Sequence, residues 1–315
     1  MDLEELLSAL GPQGPEVLIG PGDDAGVMRP PEGGLLVQTV DVITPVVDEP
    51  SSFGAISAVN SLSDIYAMGG QPHSALAILG FSSCDYDKEV VKDILRGASR
   101  VLQQAGVSLL GGHSFEDPEL KFGLAVSGTV REPILRAQGA REGELLVLTK
   151  PIGVGVLSTA LKAQKITQAQ MQEAIQSMLT LNDKAARAAR AAGASAMTDI
   201  TGFGLLGHAL SMLKGSELDF HLELSRVPVF ERTREFIARG IVPEGAYNNL
   251  RFLQGRVDWE GLAEEEQLLL ADPQTSGGLL ISLPQDGLET FRRHFGPVAV
   301  IGRTQRGSQR LKVRP

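Results

Sequence analysis

Strand-length apolar runs alternate with helical stretches in this chain, and a polar, turn-rich segment splits the alternation into two blocks. In the first block a glycine-rich turn (20–26) precedes GLLVQTV (34–40), which reads as a strand, as do SALAILGF (74–81) and KFGLAVSGTV (121–130). VSLLGG (107–112) is a short strand entering a turn. Between these runs, Phe53, Ile56, Val59, Leu62 and Tyr66 recur at helical spacing over 52–68, with Ser51 or Ser52 to cap the start and Gly69-Gly70 to end it. A second amphipathic helix covers 88–106 and stops at Gly106. The stretch REPILRAQGAREGE (131–144) is the expected boundary, dividing the chain into 1–135 and 136–315. The second block opens with LLVLTK (145–150) and a turn at 151–155. Helices follow across 156–163, 168–179 and 182–192, then AMTDI as a short strand or turn and a helix at 202–213. Strands are expected at 219–225, 279–284 and 297–304, with a helix at 286–295. This order predicts an α+β fold in two domains.

Four aspartates stand out because of what flanks them: Asp24 in IGPGDDAGV, Asp41 in QTVDVITP, Asp64 in NSLSDIYAMGG and Asp199 in MTDITGFG. Carboxylates beside glycines and apolar runs contribute little to a fold. They contribute much if they converge on Mg²⁺, which takes hard oxygen ligands and shares them with substrate phosphates. Asn60 and Asp64 lie four apart on one helix and so project from one face, expected to be polar while the opposite face packs inward. Asp23 and Asp24 follow Gly22 in extended backbone and point opposite ways, so only one faces a given metal. Asp41 is read as ending its strand. Each aspartate also has an ordinary reading as a turn or cap residue.

Gly111-Gly112-His113-Ser114 follows a strand, and paired glycines let backbone amides approach a phosphate; a sharp loop is the plainer reading. Lys150-Pro151-Ile152-Gly153-Val154-Gly155 lacks the phosphate-loop pattern and reads as a structural turn. Asp272-Pro273-Gln274-Thr275-Ser276-Gly277-Gly278 reads as a loop. Cys84, the single cysteine, has acidic neighbours and no histidine close in sequence, so it reads as a loop residue, not a nucleophile. His73, His208, His221 and His294 are scattered and read as packed or surface side chains.

Lys and Arg number 29 against 38 Asp and Glu, a formal charge of −9, which argues against a nucleic-acid partner. One cysteine permits no internal disulfide, MDLEELLSAL is no signal peptide, and no run is long enough to span a bilayer. A soluble cytoplasmic protein without nucleic-acid or membrane partners is expected.

Taken together, GDDAGV, QTVDVITPVVD, NSLSDIYAMGGQP, GGHSFEDPELKFGLAVSG, LTKPIGVGVL, AMTDITGFGLLGHAL and DPQTSGGLL resemble, in order, the selenophosphate synthetase (selenide, water dikinase) family. That family belongs to the aminoimidazole ribonucleotide synthetase-like superfamily. The first three strings are shared more loosely with thiamine-monophosphate kinase, and the later ones weigh against that alternative. A non-catalytic nucleotide-binding paralogue is the other alternative. The resemblance implies two α+β domains and a homodimer whose N-terminal domains join strands into a shared barrel. It implies an ATP- and Mg²⁺-dependent reaction in which selenide and water yield selenophosphate, AMP and phosphate. Carried over position by position, Asp24, Asp64 and Asp199 match metal ligands. Asp41 matches a residue at both metal and nucleotide, and Gly111, Gly112, His113 and Ser114 match the phosphate loop. Gly22, Asp23, Asn60 and Asp64 fall within the same nucleotide-binding strings. Family members carry a glycine-rich segment with a catalytic cysteine or selenocysteine and a lysine ahead of the region matching Met1. No catalytic residue is therefore assigned within the chain, which is expected to bind Mg-ATP but make selenophosphate poorly.

Overall fold

The structure, a computed structural model, describes residues 16–19, 23–30 and 34–315; Gly22 lies outside them. Its framework is two sheets. The first is built from β1 (Val17–Ile19), β2 (Gly26–Met28), β3 (Leu35–Ile43), β4 (Gln71–Phe81), β5 (Ser108–Glu116) and β6 (Lys121–Val130), in the spatial order β1-β2-β3-β6-β4-β5. β3 and β6 pair antiparallel from Leu35↔Val130 to Ile43↔Phe122, and β4 pairs antiparallel with β6 and parallel with β5. Alternation sorts the side chains of β3. Leu35 and Val37 are buried toward the core, Thr39 and Asp41 share their face, and Gln38, Val40 and Val42 point outward into the open.

Helix α1 (Pro50–Ala67) lies against the inner face, and α2 (Lys88–Ala105) packs on α1. Glu49 caps α1, not Ser51 or Ser52: its carboxylate accepts from both serine amides, with Pro50 pre-set for the first turn. Gly69, at φ 68, ends the helix as its sequence predicts. The two helices cross closely, because a Cβ on Gly54 would stand 1.9 Å from the Ile94 carbonyl oxygen and one on Gly97 1.9 Å from that of Ser51. Gly97→Ala should therefore destabilise the chain by about 1–3 kcal/mol, read as a lowered urea midpoint with unchanged m.

The second sheet runs β10-β13-β9-β12-β7-β11-β8. Its strands are β7 (Leu145–Leu148), β8 (Ala196–Asp199), β9 (Leu218–Glu223), β10 (Val257–Asp258), β11 (Leu279–Leu283), β12 (Ala299–Arg306) and β13 (Leu311–Arg314). The helices of this half are α3 (Val154–Lys162), α4 (Gln172–Met178), α5 (Asp183–Ala191), α6 (Gly204–Leu213), α7 (Thr233–Ala238), α8 (Glu244–Leu253), α9 (Glu264–Leu270) and α10 (Gly287–Phe295). The architecture is α+β, as predicted. None of the described helices is long and apolar enough to cross a membrane.

Four expectations need correction. The turn expected across 20–26 gives way to β2 at Gly26, which pairs with β3. Asp41 sits inside β3, two residues short of its end, because the pairing with β6 continues to Ile43. The expected helix 168–179 is a 3₁₀ turn (Gln168–Met171) followed by α4. Gly111-Gly112-His113-Ser114 is no turn: β5 runs straight through it as an exposed edge strand. Gly112 instead lets β4 pass close by, since a Cβ there would meet the Ala77 carbonyl oxygen at 2.2 Å.

Candidate metal centre

The four aspartates flagged by their flanks arrive from four separate segments and come near enough for their charges to act on one another, Asp199 fully buried and the other three half-buried. Asp24 precedes β2, Asp41 lies on β3, Asp64 on α1 and Asp199 at the end of β8. Helix α1 is the meeting plane. It is buried almost all round, and Asn60 is only 3% exposed, so the face expected to be polar while the opposite one packs inward is itself enclosed. The reason is tertiary: α1 has the first sheet on one side and β8 with α5 on the other.

Each carboxylate is held by a neutral donor. Thr198 Oγ1 donates to Asp24 Oδ1 at 2.7 Å, Asn60 Nδ2 to Asp41 Oδ2 at 2.7 Å, and Thr39 Oγ1 to Asp64 Oδ2 at 2.5 Å. Asp23 turns away from this group, accepting from the Ala137 amide at 3.1 Å and lying 3.6 Å from Arg136 Nε. Neutral donors do not balance four negative charges. Burial, and then the charge of Asp199, push the Asp24 and Asp64 carboxyls well above the usual range and Asp41 up to about 6. Burial likewise raises Asp199. Among the described residues the buried oxygens Asp24 Oδ2 and Asp199 Oδ2 have no hydrogen-bond partner. Carboxylates in this condition stay ionised only beside cations, so the donor set fits a divalent ion with hard-oxygen preference.

Three features escaped the sequence reading. A ring nitrogen of His208, on α6, lies within 4.8 Å of carboxylate oxygens of Asp24 and Asp199. Burial drops its pKa to about 4, and its Nε2 accepts from the Thr201 amide at 3.1 Å, so the ring is neutral with its proton on Nδ1. Lys150, just past β7, is 7% exposed and donates to the Thr180 and Ser276 carbonyls. Burial lowers it to about 7 while the Asp199 charge works the other way. Finally, 272–278 is no open loop. Gln274 Oε1 accepts from the Gly153 and Val154 amides at the start of α3, and Asp272 Oδ2 from Gly155. The Ser276 amide donates to Asn60 Oδ1 at 2.8 Å, and Asn182 Nδ2 donates to both Ser63 Oγ and the Gly277 carbonyl at 2.9 Å. These bonds span up to 216 positions of sequence, beyond any local signal.

The Gly111–Ser114 segment lies apart from the strand that carries Asp41. β5 stands three strands from β3, about 14 Å at ~4.8 Å per step.

The N-terminal domain of AIR synthase related proteins matches residues 22–130, and their C-terminal domain matches 141–314. The selenide, water dikinase of Citrifermentans bemidjiense is 45% identical over 285 residues, covering 90% of this chain and 82% of that protein. The chain belongs to the selenide, water dikinase family. The member from Geobacter metallireducens is 44% identical over 294 residues, covering 92% and 86% of the two chains. Among solved structures, tt0281 from Thermus thermophilus shares the fold with TM-score 0.73 at 22% identity, over 99% of this chain and 96% of that one. Thiamine-monophosphate kinase from Stenotrophomonas maltophilia does so with TM-score 0.68 at 21% identity, over 95% and 91%. The kinase is thus a fold relative of this selenide, water dikinase family member and no nearer.

Proposed function

We propose that this chain makes selenophosphate from ATP, selenide and water, releasing AMP and phosphate, at a magnesium centre formed by Asp24, Asp41, Asp64 and Asp199. The observation that carries the reading is the convergence of four carboxylates remote in sequence, with Asp24 Oδ2 and Asp199 Oδ2 buried and unpartnered among the described residues. The 45% identity to a selenide, water dikinase supplies the substrate class. Magnesium bound there would neutralise charge on the transferring phosphoryl oxygens. The protein's own part is positioning. Thr198, Asn60 and Thr39 fix one oxygen each of Asp24, Asp41 and Asp64, leaving the others for metal. Asn60 and Asp64 on α1 form part of the proposed nucleotide cradle, to which Gly22 and Asp23 are assigned on the family resemblance alone. Gly111, Gly112, His113 and Ser114 join it on the family resemblance. The domain division falls in 131–144, between the two sheets, and the proposed compartment is the cytoplasm.

Product identity tests the reading. With Mg-ATP and selenide, AMP, inorganic phosphate and selenophosphate are expected by ³¹P NMR. ADP formed with an organic phosphate acceptor and no response to selenide would favour a thiamine-monophosphate kinase-like phosphotransferase, and ATP binding without turnover a non-catalytic paralogue.

The same proposal includes a homodimer built on the outer face of the first sheet. Val40 is 57% exposed there, Leu76 48% and Leu110 69%, around a recess of about 400 Å³. Such an apolar face on an edge-terminated sheet needs cover. Leu110→Asp should raise the dimer dissociation constant by about 100-fold or more, since a charge in a closed interface costs several kcal/mol. Sedimentation velocity at micromolar chain would show a monomer; an unshifted dimer places the interface elsewhere.

A further inference from the structure

We propose that Lys150 is a positioning residue that orients the Asp41 carboxylate through Ser276 and Asn60. The inference rests on the metal-centre reading above and assigns a residue to its control.

An unbroken run of hydrogen bonds joins the two. Lys150 Nζ donates to the Ser276 carbonyl at 3.0 Å, the Ser276 amide donates to Asn60 Oδ1 at 2.8 Å, and Asn60 Nδ2 donates to Asp41 Oδ2 at 2.7 Å. The run leaves no freedom at its links. Asn60 accepts on its oxygen and donates from its nitrogen, so its amide cannot flip without breaking both bonds. Among the described residues no hydrogen bond reaches Asp41 Oδ1, so the fixed carboxylate presents that oxygen uncommitted.

Ser276 marks the point where the run is set. It is a non-glycine residue at φ 50, a conformation that persists only when its surroundings over-determine it. All its polar groups are engaged: the amide with Asn60, the hydroxyl with the Met178 carbonyl at 2.6 Å, and its own carbonyl with Lys150. Lys150 also donates to the Thr180 carbonyl at 2.7 Å, so one ammonium ties the segment after α4 to the 272–278 segment. A lysine is an expensive filler for a site 7% exposed, where Met would pack without losing hydration. Its hydrogen bonds go to two carbonyls, and the Asp199 charge acts on it without a direct bond among the described residues. Its bonds serve position.

Mn²⁺ alone is the probe, titrated into the full chain and followed by the EPR signal of the free ion. Lys150→Met should weaken Mn²⁺ binding about 10-fold or more, the size of effect that outer-shell partners exert. In an Asn60→Ala background, where the run is already cut, Lys150→Met should change binding by less than about 2-fold. Equal losses in the two backgrounds, or no loss in either, overturn the inference while leaving the metal centre intact. A wild-type chain that takes up no Mn²⁺ overturns the centre and the inference together. If Lys150→Met does not fold, Lys150→Gln, which removes the charge and leaves a shorter amide NH₂, is read in the same cycle. A purely structural lysine would lower the melting temperature and leave the cycle additive.

Discussion

Asp199→Asn should cut ATP turnover by on the order of 10³-fold while raising the melting temperature of the metal-free chain at pH 8. The two signs come from one charge. Asp199 is the neighbour whose charge raises Asp24, Asp41 and Asp64 after burial itself, so it stands at the electrical centre of the four. Asn keeps its shape and can still accept from Ser63, which bonds the native carboxylate. What goes is a negative charge. Without metal that charge only opposes its neighbours in a buried site, and its loss stabilises. In the proposed magnesium centre it is a ligand, and losing the several kcal/mol that a metal supplies to phosphoryl transfer corresponds to about three decades in rate. Turnover within tenfold of wild type would remove Asp199 from the centre. A lower metal-free melting temperature would show that repulsion among these carboxylates does not govern the site.

Much of the frame was legible because local pattern and tertiary demand agree. β6 occupies 121–130 as its apolar alternation predicts, and α2 ends at Ala105 before Gly106 in the left-handed region. The aspartates were legible because glycine and apolar flanks make a poor setting for an idle carboxylate. What escaped the sequence depends on distant chain. Gly112 looks like a loop glycine, yet its missing side chain makes room for Ala77. The 272–278 segment is polar enough to pass for a surface loop, yet Asp272, Gln274 and Ser276 are buried against α3 and α1. Lys150 showed only as a strand-end lysine before a proline, and nothing local revealed that its amine would be enclosed. The small helices and strands between Arg226 and Asp272 were missed because they are six to ten residues or shorter and carry little periodicity.

The stability of the metal-free chain should fall as pH rises from about 6.5 to 8, and saturating Mg²⁺ should progressively offset the fall. Asp24 and Asp64 are raised well above 3.8, and burial lifts Asp272 to about 8. A raised carboxyl holds its proton in the native chain after the unfolded chain has lost it. Native protein then binds more protons, and stability declines with pH by about 1.4 kcal/mol per unit for each such group. Two groups act oppositely. His208, lowered to about 4, adds stability between there and its unfolded value near 6.5, which is why the window opens at about 6.5. Lys150, lowered to about 7, begins to add stability above that point and so works against Asp272 and any other carboxyl still holding its proton there. A lower melting temperature at pH 8 than at pH 6.5 is the expected reading. Metal ligands must be ionised to bind, so Mg²⁺ affinity rises with pH and the bound ion stabilises more at 8 than at 6.5. The gap between melting temperatures with and without Mg²⁺ should therefore widen across the window. Asp272, which is no ligand, contributes equally to both curves and drops out of the gap. Asp272→Asn, which mimics the protonated acid, should flatten both curves by its share and leave the gap unchanged. Asp199→Asn should close the gap. A gap that stays constant from pH 6.5 to 8 in the wild type would mean that the ion is held by groups other than these raised carboxylates.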